Sequence, residues 1–110
     1  MSMETTMAVT PKRRHSLRIH LETQLVASMS GARNGSATVR DLGLGGAFLE
    51  TKLPFEVGDS LHVKILSGSP PFQCPSKVRN VMADGIGIEF VQMKPEDREL
   101  LRRLITNLLG

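Results

Sequence analysis

The chain has little with which to do covalent chemistry. It holds one cysteine, Cys74, in 110 residues. No intramolecular disulfide can form, and no CxxC metal or redox pair exists. A reducing, cytoplasmic setting fits that economy. Tryptophan and tyrosine are absent, and there are four phenylalanines. General single-strand nucleic-acid binders carry more aromatics than this for base stacking. No apolar run reaches membrane-spanning length, so no membrane insertion is expected. The opening MSMETTMAVTPKRR lacks the apolar stretch of a secretory signal. No GxSxG nucleophile elbow is present. His15, His20 and His62 have no metal-ligand spacing with one another or with Cys74. These absences argue against an enzyme, a metal centre and a resident cofactor, and they favour a binding domain.

What is present is a local concentration of positive charge. The net charge is +3, but Lys12, Arg13, Arg14 and Arg18 fall within seven positions. A second basic group, Arg98, Arg102 and Arg103, is diluted by Glu96, Asp97 and Glu99. Three readings of the first cluster compete: a solvated tail, a nucleic-acid arm, or a clamp over a small anion. A DNA or RNA binder would carry a broader basic face, so a small anionic ligand is favoured and no DNA or RNA partner is expected. Short matches to a basophilic kinase site at Arg13-Arg14-His15-Ser16 and to a nuclear or heparin-type patch are of the kind that arise by chance.

The length fits one domain. Residues 1–11 read as a disordered tail and residues 12–110 as the folded unit. Strand patterns follow the basic cluster. Residues 23–29 form a plausible strand ending at Asn34-Gly35, a hairpin signal because both residues tolerate positive φ. Residues 36–42 and 47–51 make two more strands. Leu61, Val63 and Ile65 alternate with polar neighbours, as do Ile86, Ile88 and Phe90, and a strand around Val78 and Val81 lies between them. The period then changes. Pro95, Glu96 and Asp97 open a helix, and its leucines recur every four residues to residue 109. There is no room for crossover helices between the strands, so the connections must be mainly antiparallel. About six strands and one C-terminal helix predict an all-β barrel or folded sheet capped by that helix.

The second distinctive segment is Val39-Arg40-Asp41-Leu42-Gly43-Leu44-Gly45-Gly46-Ala47-Phe48. It is neither a P-loop nor a dinucleotide fingerprint, since no Gly-Lys-Ser/Thr and no helix follow. Its bland reading is a tight turn or bulge with glycines at positive φ. Its functional reading is a flat ligand approaching a glycine backbone, with Asp41 accepting from N–H donors such as those of guanine. Arginine suits both phosphate and the O6/N7 edge of guanine, because its planar fork bonds bidentately. Arg14 and Arg18, four apart, could face one ligand. Together the two segments describe a guanine nucleotide site without a catalytic group. Arg40 and Arg79 are further arginines that neighbouring strands could bring to it.

Here the chain resembles the PilZ domain family. Arg14-His15-Ser16-Leu17-Arg18 matches that family's RxxxR motif, with Arg13 giving the frequent double arginine. Residues 41–46 align with its (D/N)xSxxG motif: Asp41 and Gly46 match, and Gly43 stands where the family has serine. The Gly58-Asp59 turn, the strand at residues 85–90 and the amphipathic helix continue the likeness over residues 12–109. The resemblance implies a six-stranded antiparallel β-barrel of split-barrel type with a C-terminal helix at residues 95–109. The implied ligand is the bacterial second messenger cyclic di-GMP. By carry-over, Arg14 and Arg18 bind phosphate and guanine, with Arg13 assisting. Asp41 accepts from a guanine, Gly46 holds the turn close, and residues 12–18 clamp over the nucleotide. Such receptors relay the signal to a protein partner, in motility, pilus or polysaccharide regulation. Gly43 lacks the serine hydroxyl, a loss of roughly 0.5–1.5 kcal/mol, which weakens binding by up to about tenfold. It also motivates the alternative of a PilZ-like interaction module that binds no nucleotide.

Overall fold

Side-chain alternation decides which face of each strand is the inside of this molecule. The computed structural model describes residues 18–21 and 24–109. Seven strands come first: β1 (Arg18–His20), β2 (Val26–Gly31), β3 (Gly35–Gly43), β4 (Gly46–Glu50), β5 (Ser60–Ile65), β6 (Phe72–Met82) and β7 (Gly85–Phe90). A helix, α1 (Pro95–Leu109), follows. Every pairing is antiparallel. β2, β3, β4, β7, β6 and β5 each bond the next, and β5 returns to β2, which closes a six-stranded barrel. The all-β barrel with one terminal helix is therefore the observed fold.

The inward positions carry the core. They include Ala27, Met29, Val39, Leu42, Leu49, Val63, Ile65, Phe72, Val78, Ile86 and Ile88, all buried. Phe72 and Phe90 meet edge to face, with ring centroids 5.2 Å apart, the arrangement that aromatic quadrupoles favour. Closure gives each of the six barrel strands a partner on both sides, which removes the exposed edges that seed aggregation. Pro75 is tolerated inside β6 for a local reason. Its carbonyl accepts from the Val91 N–H at 2.8 Å, on the side away from β5. A residue's N and C=O point to the same side of a strand, so no β5 bond is lost there.

β1 and β2 lie on the same edge of β3, one after the other. Leu21 N–H donates to the Arg40 carbonyl at 2.9 Å, and Val39 N–H to the Leu25 carbonyl at 2.7 Å. The barrel wall thus continues past its sixth strand through the short β1. The sequence pattern shows no strand at residues 18–20 and predicts one over 23–29. Residues 22–23 lie outside the described residues, and the strand runs from Val26 to Gly31.

Two turn readings change. The hairpin at Asn34-Gly35 is real, but neither residue has positive φ. The positive-φ glycines among the described residues are Gly31, Gly58 and Gly68. Gly31 takes φ 126°, and its N–H donates to Asn34 Oδ1 at 3.1 Å. Asn34 therefore acts through its side chain, which accepts back across the turn from Gly31. The turn at Leu44 and Gly45 also uses no positive φ.

α1 starts at Pro95, with Glu96 and Asp97 in its first turn, where the helix dipole favours acids. It packs on β6, and Leu101 is fully buried in the barrel core. Leu100, Leu104, Ile105 and Leu108 flank that anchor. On the outer face Glu99 pairs with Arg102 and Arg103, each at 3.4 Å, so this basic group is a solvated helix surface. No helix among the described residues is long and apolar enough to cross a membrane. Cys74 is buried on β6 and its Sγ donates to the Val91 carbonyl at 3.4 Å. Burial pushes its thiol up, the Val91 contact opposes this, and the Asp97 carboxylate adds to the rise.

Leu101→Ala is expected to cost about 2–5 kcal/mol in chemical denaturation, whereas Leu109→Ala, at an exposed position, should stay within about 0.5 kcal/mol. An unchanged midpoint for Leu101→Ala would contradict the helix docking. Cys74 is expected to resist a thiol reagent at neutral pH until denaturant is added; rapid reaction of the folded protein would contradict its burial.

Candidate nucleotide-binding face

The site is built around the C-terminal end of β3. A bulge falls between Val39 and Asp41, where Arg40 has no partner on β4. Before it, Ala37 and Val39 point inward; after it, Leu42 does. Arg40 and Asp41 are therefore consecutive residues on the outer face, which regular alternation forbids. Re-aiming a side chain next to a site is a recurring use of bulges. Asp41 is half-buried, and Gly43 and Gly46 are buried.

The register places the sequence-derived residues as follows. Arg18 stands opposite Gly43, Ile19 opposite Leu42 and His20 opposite Asp41. The second arginine of RxxxR thus begins a strand bonded directly to the Asp41–Gly43 segment, 23 positions or more further along the chain. Arg13 and Arg14 lie outside the described residues, as do the tail at residues 1–11 and the rest of the clamp before Arg18. The turn at Leu44-Gly45 is braced from the far side, since Phe90 N–H donates to the Gly45 carbonyl at 2.9 Å. Gly46 stands opposite Glu89 on β7. Gly43 pairs with Arg18 along the edge of β3 and is itself buried.

A second bulge mirrors the first. In β6 Arg79 is the extra residue between Val78 and Asn80. The two bulges flank the β4–β7 ribbon at one level, because Asp41 stands opposite Phe48, Phe48 opposite Gly87, and Gly87 opposite Asn80. An outward row His20–Asp41–Phe48–Gly87–Asn80 results. Each bulge arginine meets a glutamate of the ribbon: Arg40 with Glu50 at 3.6 Å, and Arg79 with Glu89. Both pairs are about half exposed, which limits each to roughly 0–1 kcal/mol.

Sequence reasoning singled out neither Phe48, Gly87 nor Asn80. Phe48 was legible in principle, since Ala47 and Leu49 on either side are inward core residues. Its cross-strand neighbours were not, because register across a barrel is a long-range property. Asn80 Oδ1 accepts from the Gly87 N–H at 3.1 Å, so the amide lies over the glycine. His62 is an exposed strand residue bonded to Gln73 at 3.0 Å, away from this row.

The family model for the PilZ domain matches residues 12–107. Among solved structures, the chain is similar to the Bacillus subtilis inhibitor of motility MotI/DgrA, with a TM-score of 0.68 at 18% identity. That match covers 87% of this chain and 53% of the other, so the chain spans about half of that relative. It is also similar to the PilZ domain of YcgR from Escherichia coli, solved with c-di-GMP (TM-score 0.71, 20% identity, 89% and 92% coverage). The PilZ domain of CeSA from a cellulose-synthesizing bacterium gives a TM-score of 0.67 at 13% identity, with 86% and 100% coverage. No curated protein matches the chain in sequence. At these identities the solved structures speak to the fold alone.

The scaffold behind the row depends on a close backbone approach at Gly85. A Cβ there would stand 2.2 Å from the Leu49 carbonyl oxygen and 2.9 Å from Phe48 Cζ. Gly85→Ala is expected to destabilise the barrel by about 1–3 kcal/mol or more, read as a lowered thermal midpoint. A midpoint equal to that of the parent chain would contradict the β4–β7 register.

Proposed function

The chain belongs to the PilZ domain family, and on that premise we propose that it is a cyclic di-GMP receptor without enzymatic activity. The observation that carries the proposal is the register of β1. Arg18 opposite Gly43 and His20 opposite Asp41 bring the end of the arginine motif and the Asp41 turn into one sheet. The last residue of one motif and the turn of the other thereby lie on adjacent strands. Cyclic di-GMP as the ligand is supported by the family and by one neighbour, a PilZ domain solved with c-di-GMP.

The roles follow from chemistry. Arg14 and Arg18 take phosphate oxygens and the Hoogsteen edge of a guanine, where a guanidinium bonds bidentately. Arg13 adds charge beside them. Asp41 accepts from guanine N–H groups, and Gly46 holds the turn tight against β7. Charge-assisted bonds contribute about 1.5–3 kcal/mol each, and a neutral one about 0.5–1.5. A micromolar complex needs about 8 kcal/mol. Three arginines and Asp41 reach that range without the hydroxyl that Gly43 lacks.

Residues 12–18 carry like charges that repel one another when no ligand is bound. Phosphates supply the missing counter-charge, so closure of this segment over the nucleotide is the proposed response. The signal then passes to a protein partner, in a cytoplasmic setting, with motility, pilus or polysaccharide machinery as the classes that the resemblance implies. Gly43 favours one competing reading, an interaction module that binds no nucleotide.

Isothermal titration with cyclic di-GMP separates the two. The parent chain is expected to bind with a micromolar Kd, and Arg14→Ala and Arg18→Ala are each expected to raise it at least about tenfold. Gly43→Ser is expected to tighten binding several-fold. No heat at hundreds of micromolar ligand would establish the silent module, and equal heat from the arginine variants would refute the site.

A further inference from the structure

Phe48 is an aromatic residue on the outside of the barrel. Its neighbours on β4, Ala47 and Leu49, are 1% and 0% exposed, while Phe48 itself is only half-buried. An outward phenylalanine on a barrel wall exposes apolar area to water, and its local cause is visible. The ring reaches over β7, whose outward positions in this region are Gly85 and Gly87. Its Cζ lies within 2.9 Å of where a Gly85 Cβ would be. The ring therefore covers a glycine backbone, a known way to protect a strand that lacks side chains.

That covering accounts for the inner side of the ring but not for the choice of an aromatic, since leucine would shield Gly85 equally well. The surroundings are more specific. On one side the cross-strand neighbour is Asp41, which the bulge at Arg40 turns outward. On the other side is Gly87, roofed by the Asn80 amide. Along β4 the outward neighbours are Gly46 and Glu50, and Glu50 is drawn toward Arg40. The ring thus reaches over Gly85, with Asp41 as its cross-strand neighbour on β3, the Asn80 amide over Gly87, and Glu89, paired with Arg79, opposite Gly46. Directly opposite residues in an antiparallel pair hold their Cβ atoms about 4.5–5.5 Å apart. A purine on the ring would bring its edge within reach of Asp41.

We propose that Phe48 is a stacking platform for one guanine of the bound nucleotide, with Asp41 accepting from that base's Watson–Crick edge. This rests on the receptor reading above and adds a residue that neither sequence motif contains. The base lies flat on the ring, and the phosphates extend from it toward β1, where Arg18 faces Gly43 in register. Asn80, holding Gly87, closes the far end of the row.

The test uses the absence of tryptophan and tyrosine from the chain. Phe48→Trp introduces the sole strong fluorophore. Its emission is expected to be quenched on titration with cyclic di-GMP, with Kd within about threefold of the parent, because a larger ring still stacks. Phe48→Leu keeps an apolar cover over Gly85 but removes the π face. It is expected to raise Kd about tenfold or more while circular dichroism stays native. If the parent chain binds, Phe48→Leu binds equally well and Phe48→Trp shows no quenching, the platform is overturned and the receptor stands. If the parent chain gives no heat, the receptor reading falls, and the platform falls with it.

Discussion

Antiparallel pairing along β3 is the constraint on which the rest of the molecule depends. Nine residues, Gly35–Gly43, bond β2 over their first half and β1 over their last three on one edge, and β4 on the other. Buried backbone groups must find partners, and in a barrel this small each pairing fixes the next. β3 cannot slip by one residue without turning Ala37, Val39 and Leu42 to solvent. The same register fixes Arg18 beside Gly43. Core packing and the location of the candidate site are thus one constraint seen from the two faces of the wall.

The two bulges reshape the outer face of that wall. A regular strand gives every second residue to solvent, which would separate Arg40 from Asp41 and Arg79 from Asn80. Each bulge adds one outward residue, and in both strands that residue is an arginine paired to a glutamate of the β4–β7 ribbon. The pairs are too exposed to contribute much stability. Their structural consequence is local: Arg40 is engaged with Glu50, and Asp41 stands beside Phe48. The bulges also strengthen strand twist, which a six-stranded barrel needs in order to close.

The fold was largely legible in the sequence because its signal is local. Period-two alternation in β5 and β7 and the four-residue recurrence in α1 report burial directly, and Pro95 marks the helix start through its own geometry. β1 was not legible, because three residues with one apolar side chain, Ile19, carry no periodicity; what makes them a strand is β3 alongside. The bulges were invisible for a related reason. A one-residue insertion shows only against its partner strand, so Arg40 and Arg79 read as ordinary exposed positions. Asp41, Gly43 and Gly46 are candidates by motif, whereas Phe48 and Asn80 join that face only through register. Turn chemistry misled in one instance: Asn34-Gly35 marked the hairpin, yet Gly31 supplies the positive φ and Asn34 supplies a side-chain acceptor.

Charge on the outer face is divided in a way that bears on how a dinucleotide would be held. Arg40 and Arg79 each have a glutamate partner, so the middle of the row carries little net positive charge. The basic excess of the sequence sits instead at residues 12–18. A ligand with flat bases and anionic phosphates matches that division on the proposed reading: base against Phe48 and Asp41, phosphate toward the arginines. The arrangement also bears on the missing serine. A side chain at position 43 would share the outer face with Asp41, since Leu42 between them points inward, and a hydroxyl there could add one neutral bond to a ligand. Its absence leaves both halves in place, so the cost is a fraction of the binding energy and does not remove the site. On the proposed reading, affinity is then set mainly by the charge of residues 12–18 and by the phosphates that neutralise it.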